Sequence, residues 1–159
     1  MDADRLLKLA REMAAEVPFC VGSTTAEDGG TSSRILQPMR ICDDWTINII
    51  TNRRCRKVRE IEKTGHITLL YDNPNRRGYV CFSGPANIVE DVELKRAIWT
   101  PGHDRWNPGG PEDPATVFMR LRPNRIELWS VTENILPEPE GYSAAVLLRD
   151  GEGWRVTST

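Results

Sequence analysis

The chain has 159 residues, 39% of them hydrophobic, with 12 glycines, four cysteines and a formal net charge of −2. That length holds one domain with a real core and leaves too little for two, so residues 1–159 are read as a single domain. The charge gives no overall pull toward nucleic acid or an anionic membrane, and no stretch approaches the roughly 20 apolar residues of a membrane span. Residues 1–17 mix charged and apolar side chains where a signal peptide needs an uninterrupted apolar run.

Leu6, Leu9, Ala10, Met13 and Val17 recur at helical spacing, which predicts an amphipathic helix over residues 4–16, stopped by Pro18. Short β-like runs follow: Phe19–Thr25, a turn at Ala26–Gly30, then Ser33–Ile41 and Trp45–Thr51 on either side of Asp43-Asp44. Arg56–Lys63 returns to helical spacing, with Gly65 as its C-cap. His66–Tyr71 is the next strand, and Asn73-Pro-Asn75 reads as a loop. Gly78–Val89 is a long strand interrupted at Gly84-Pro85, which predicts a bulge or an edge. Asp91 is placed to cap a helix that runs to about Trp99. Residues 100–114, rich in proline and glycine, read as a long ordered loop or lid. Thr116–Leu121 and Arg125–Val131 are two strands or one bent strand, and residues 144–159 close the chain as a hairpin. The expected fold class is mainly β, a closed barrel or a sandwich, with six to seven mostly antiparallel strands and about three helices.

Cys20, Cys42, Cys55 and Cys81 never form Cys-x-x-Cys, and the only histidines, His66 and His103, lie far apart. No metal site and no disulfide is expected, and a reducing cytoplasm is the expected compartment. Ser23, Ser32 and Ser33 have no nearby His–Asp partner, so a hydrolase triad has no support. Trp99, His103 and Trp106 surround the Pro/Gly loop, where a loop anchor is favoured over a lid.

Chemistry concentrates at one strand–helix junction. Five of the seven residues Arg53–Arg59 are basic, and they precede the helix that starts near Arg56. A helix N-terminus offers unpaired N–H groups and a favourable dipole to an anion. Arg56 adds a planar bidentate donor, Lys57 a point charge and Thr51 a hydroxyl, while Arg34 on a neighbouring strand is within reach of the same anion. On composition alone, a solvated helix start remains an equal alternative.

The ordered set Arg34-Ile35-Leu36, Thr51-Asn52 and Cys55-Arg56-Lys57 resembles the FMN-binding pattern of the pyridoxamine 5′-phosphate oxidase-like flavoproteins. Cys81–Ala86 and Asp91–Lys95 match the Gly-x-Ala strand and the Asp-initiated helix that follow in that family. Trp106–Pro114 (WNPGGPEDP) and Ile126-Glu-Leu-Trp129 are similar to the general stress protein branch, so that the resemblance spans roughly residues 5–131. It implies an FMN-binding split β-barrel that works as a homodimer with the flavin at the interface. Arg34, Thr51, Arg56 and Lys57 would then hold the phosphate and ribityl chain, and Ile35, Leu36 and Ile50 would line the ring. Trp129 would approach from the partner subunit. Cys55 stands where the family has serine, and its thiol is the poorer hydrogen-bond partner. The redox chemistry would belong to the flavin, acting on an unnamed small molecule, and no catalytic residue is assigned. A flavin-sequestering protein without turnover, a bound FAD or deazaflavin in place of FMN, and a dimer with no cofactor are the alternatives. Haem is disfavoured because neither histidine is placed as an axial ligand.

The departures from the family are equally specific. The basic run that follows the tryptophan in pyridoxamine-phosphate oxidases is replaced by Val131–Pro137, which has no basic residue, and the substrate-side lysine becomes Met39, next to Arg40. The usual C-terminal ending is replaced by Trp154–Thr159. Several charge-assisted hydrogen bonds to a pyridoxal phosphate are thereby lost, each worth about 1.5–3 kcal/mol, and no useful oxidase activity of that type is expected.

Overall fold

The computed structural model describes residues 1–137 and 141–157. Among them are four α-helices, α1 (Ala3–Ala15), α2 (Arg56–Thr64), α3 (Val92–Ile98) and α4 (Pro101–Asp104), and one 3-10 turn at Pro74–Arg76. Nine strands accompany them: β1 (Cys20–Thr25), β2 (Thr31–Leu36), β3 (Ile47–Asn52), β4 (His66–Asn73), β5 (Gly78–Val89), β6 (Thr116–Leu121), β7 (Arg125–Ser130), β8 (Ala145–Asp150) and β9 (Gly153–Thr157). The expectation of six to seven strands is corrected to nine, and that of about three helices to four. Residues 116–131 form two strands, because the intervening loop folds onto β5: Arg122 N–H donates to Pro85 O (2.9 Å) and Asn124 N–H to Ser83 O (3.1 Å). The hairpin expected over residues 144–159 is β8–β9, and its last two residues lie outside the described ones.

All pairings are antiparallel, in the order β2-β1-β4-β5-β7-β8-β9, with β3 and β6 forming a second group attached through β5. Among the described residues the sheet does not close on itself. Strand β5 is the spine: its first half pairs with β7 and its last four residues with β6, so it crosses from one group to the other at Gly84-Pro85. A Cβ on Gly84 would come within 2.7 Å of Asn124 N and 2.9 Å of Arg122 O, both backbone atoms, so the crossing needs glycine.

Two strands start or stop short of their apolar runs for local reasons. Strand β2 ends at Leu36 rather than Ile41, because Pro38 has no N–H to extend a ladder. Strand β3 starts at Ile47 because Trp45 adopts a left-handed backbone (φ 73°). Packing holds Trp45 there: its ring meets Trp154 edge-on at 5.6 Å and lies 3.8 Å beneath the Arg11 guanidinium.

The core gathers the buried stripe of α1 (Leu6, Leu9, Ala10, Met13) against the inner faces of the strands, including Ile47, Ile49, Ile67, Leu69, Phe82, Met119, Ile126 and Leu147. Asp2 caps α1, accepting from Arg5 N–H at 3.2 Å. Helix α2 packs on β1 and β5 and ends as expected at Gly65, which is left-handed (φ 66°) and donates to Ile61 O. Its N-terminus is thereby fixed beside β2.

Candidate functional site

Strand β3 runs out at Asn52 into a tight turn whose geometry is local. Asn52 Oδ1 accepts from Arg54 N–H (3.0 Å), and Asn52 O accepts from Cys55 N–H (2.9 Å). Cys55 is the N-cap of α2 and its side chain makes no capping hydrogen bond, which leaves the first N–H groups of the helix without a side-chain acceptor. An open groove of about 300 Å³ lies at this point, lined by Arg34, Cys55, Arg56 and Lys57. Four of the residues expected from sequence to contact a cofactor are thus brought together, from β2 on one side and the α2 N-terminus on the other. Thr51, the fifth, is buried behind the groove on β3. Burial works against ionisation of the Cys55 thiol. The Thr51 hydrogen bond, the Lys57 charge and the Asn52 backbone more than offset it and hold the thiol below its ordinary value.

Sequence alone does not single out Glu60, which proves to organise the groove from below. Its carboxylate is 4% exposed. It accepts from Thr24 Oγ1 (2.5 Å), Ser32 Oγ (3.0 Å) and Arg34 Nη2 (3.0 Å), and Arg56 Nε lies 3.3 Å away. Arg34 is tied down further by hydrogen bonds to Thr24 Oγ1 (2.7 Å) and Gly22 O (3.2 Å). The Thr24 hydrogen bond first, then those from Ser32 and Arg34, hold the Glu60 carboxyl below the usual range against the cost of burial. The only sequence signal was the four-residue spacing of Arg56 and Glu60 on α2. Three cations against one carboxylate leave two positive charges at the groove, which is the charge complement of a phosphate monoester dianion.

The residues expected to line a flavin ring are distributed differently. On β2, Leu36 shares the inward face with Arg34 and joins the core, whereas Ile35 points the opposite way and is 66% exposed. Ile50 is half-buried on β3. Trp129 lies on β7, paired with Tyr79 and away from the groove, where its indole N–H donates to Gly141 O at 2.8 Å. Ile35 begins a cross-strand row on the outer sheet face, continuing through Val21, Leu70 and Cys81, each half-buried at most. Beside it runs a row of small hydroxyls, Ser33, Ser23, Thr68 and Ser83. Among the described residues the far edge of β2 pairs with no strand, which leaves its outward backbone groups open there.

Met39 and Arg40, the positions that the resemblance puts on the substrate side, line a second cavity of about 510 Å³ between α1 and residues 37–41. The Pro/Gly segment is ordered around α4: Trp99 Nε1–H donates to Asp104 Oδ1 (2.9 Å), and Thr100 N–H donates to His103 Nδ1 (3.0 Å). Trp106 remains 73% exposed. Among the described residues no group of three or more His, Cys, Asp and Glu side chains is placed to hold a metal ion. No helix there is long and apolar enough to cross a membrane.

Comparison with known proteins places the fold. General stress protein 26 of Bacillus subtilis is 34% identical over 117 residues, covering 71% of this chain and 81% of that protein. The crystal structure of general stress protein 26 from Bacillus anthracis superposes with a TM-score of 0.65 at 24% identity, covering 77% of this chain and 92% of the other. A pyridoxamine 5′-phosphate oxidase-related, FMN-binding protein of Nostoc punctiforme reaches 0.71 at 15% identity, covering 100% of this chain and 98% of that one. At these identities the two structures speak for the fold alone, which is that of the FMN-binding split barrels. The sequence profile described as pyridoxamine 5′-phosphate oxidase like matches residues 4–144, and the chain belongs to that family.

Proposed function

We propose that the chain binds FMN non-covalently, with the phosphate in the groove at the α2 N-terminus, and lends the bound flavin to redox chemistry on a small molecule. The groove carries this reading: Arg34, Arg56, Lys57 and the first turn of α2 converge there with two net positive charges. Each residue has a task in it. The Arg56 and Lys57 side chains and the helix N–H groups hold the phosphate, and Glu60 keeps the Arg34 guanidinium directed rather than free. The open edge of β2 presents N–H and C=O groups to the donor and acceptor atoms along a flavin ring edge. FMN would supply the hydride acceptor itself, and the protein supplies binding, orientation and shielding.

A second copy of the chain covering the row Ile35–Val21–Leu70–Cys81 would complete the site as a homodimer and remove an exposed apolar stripe from water. With Met39 and Val131–Pro137 in place of the basic groups that grip pyridoxal phosphate, the substrate is a different small molecule. Four cysteines with no disulfide between them suit a reducing compartment, the cytoplasm.

The test is an absorbance spectrum of the purified protein before and after FMN addition and desalting. Retained flavin bands, lost when Arg56 and Lys57 are both changed to alanine, support the reading. A spectrum that stays featureless refutes it. Bleaching of the retained bands by a reduced nicotinamide then separates an enzyme from a flavin store.

A further inference from the structure

Among the described residues Lys95 is the one lysine buried completely, with 0% exposure. It lies on α3, and its Nζ donates to two backbone carbonyls, Asp113 O (3.0 Å) and Thr116 O (2.9 Å). No ion pair among the described residues includes it. A buried ammonium is costly to desolvate and is kept only where its hydrogen bonds hold something in place. Here that is the loop at residues 113–116.

The loop has a second attachment. Ala115 O accepts from Arg53 N–H (2.8 Å) and Pro114 O from Arg53 Nε–H (3.0 Å), so it grips the first residue of the turn that delivers Cys55, Arg56 and Lys57 to the groove. Thr116 lies opposite Asn52 in the β3–β6 ladder. The loop is also stiff within itself. Asp113 Oδ1 accepts from Ala115 N–H (2.8 Å), and a Cβ on Gly109 would come within 2.2 Å of Asp113 Oδ2. The segment WNPGGPEDP is thus a wedge between α3 and the turn.

We propose that Lys95 is a positioning residue for the phosphate groove: its ammonium fixes the 113–116 loop, and that loop, through Arg53, sets the turn that aims the α2 N-terminus. The inference rests on the FMN reading above. Moving the turn misdirects the donors of Arg56, Lys57 and the helix N-terminus to the phosphate and leaves the β2 contacts to the ring in place, so the signature is a loss specific to the phosphate.

The experiment compares FMN with riboflavin, which lacks the phosphate, by fluorescence titration of wild type, Lys95→Met and Asp113→Ala. For Lys95→Met the FMN dissociation constant should rise about tenfold, the equivalent of one charge-assisted hydrogen bond, while that of riboflavin stays within about twofold. Asp113→Ala leaves Lys95 and the core in place and guards against a Lys95 variant that fails to fold. It removes a negative charge, which by electrostatics alone favours an anion. A rise of about threefold in its FMN dissociation constant, with riboflavin unmoved, therefore reports the loop. Unchanged FMN affinity in the folded variants, or parallel losses for FMN and riboflavin, overturns the positioning role. Wild type that binds no FMN overturns the reading on which it rests.

Discussion

Changing Glu60 to glutamine keeps the size of the side chain and removes the charge on which four neighbours converge. The Arg56 contact is solvent-exposed and contributes little. Thr24, Ser32 and Arg34 lose charge assistance, and one of the two hydroxyls now faces an amide N–H₂. Replacing charge-assisted bonds by neutral ones at these three contacts costs about 2 kcal/mol in total, less than outright removal of the partner would. For a chain of this size that lowers the melting temperature by about 4–8 °C. The carboxyl is held below its ordinary value in the folded state. Its contribution is therefore fully present above the unfolded-state value near 4.3 and lost as the pH falls through the lower native one. Urea denaturation of both proteins from pH 7 to about pH 3 should show a constant gap down to about pH 5, closing below about pH 4. A gap under about 0.5 kcal/mol at pH 7, or one that does not narrow in acid, would refute this account of Glu60.

Gly84→Ala should destabilise the fold by about 1–3 kcal/mol, read as a lower urea midpoint, since the two nearest of the three atoms that its Cβ meets are backbone. Iodoacetamide should label Cys55 with a pH midpoint below that of an ordinary thiol, and saturating FMN should slow the labelling. Cys20, buried and pushed up to about 12, should stay unmodified until the protein unfolds, which mass spectrometry of the native protein checks. Ile35→Glu places a charge on the uncovered sheet face without touching the core. Sedimentation should show a dimer for wild type and a monomer for the variant, with the fold unchanged by circular dichroism.

The groove was legible in the sequence because its signals are local. A strand end, a basic run and a helix start follow one another within Thr51–Lys57, and Gly65 marks the end of the same helix. Glu60 was not legible, because its partners Thr24 and Ser32 come from a hairpin far earlier in the chain and meet it only when α2 packs on β1. The two-residue alternation of β2 separates Arg34 and Leu36 from Ile35, but it cannot say which face turns inward. The strand boundaries at Leu36 and Ile47 were misplaced for related reasons: apolar character continues into segments that Pro38 and the left-handed Trp45 exclude from any ladder. Trp129 bonds a carbonyl at Gly141, in a part of the chain whose sequence offers no periodicity to read.

The two-partner edge of β5 governs when this chain can fold during synthesis. Gly78 waits for Ser130, and Ala86 for Leu121. Until the ribosome has released both later strands, one side of the twelve-residue β5 is a bare ladder template that β4 alone cannot shield. The pairings of β5 with β6 and β7 close longer loops than its hairpin with β4, so their closure cost is met only late in synthesis. Chaperone demand should therefore peak while residues 90–130 emerge and fall sharply once β7 is free to dock.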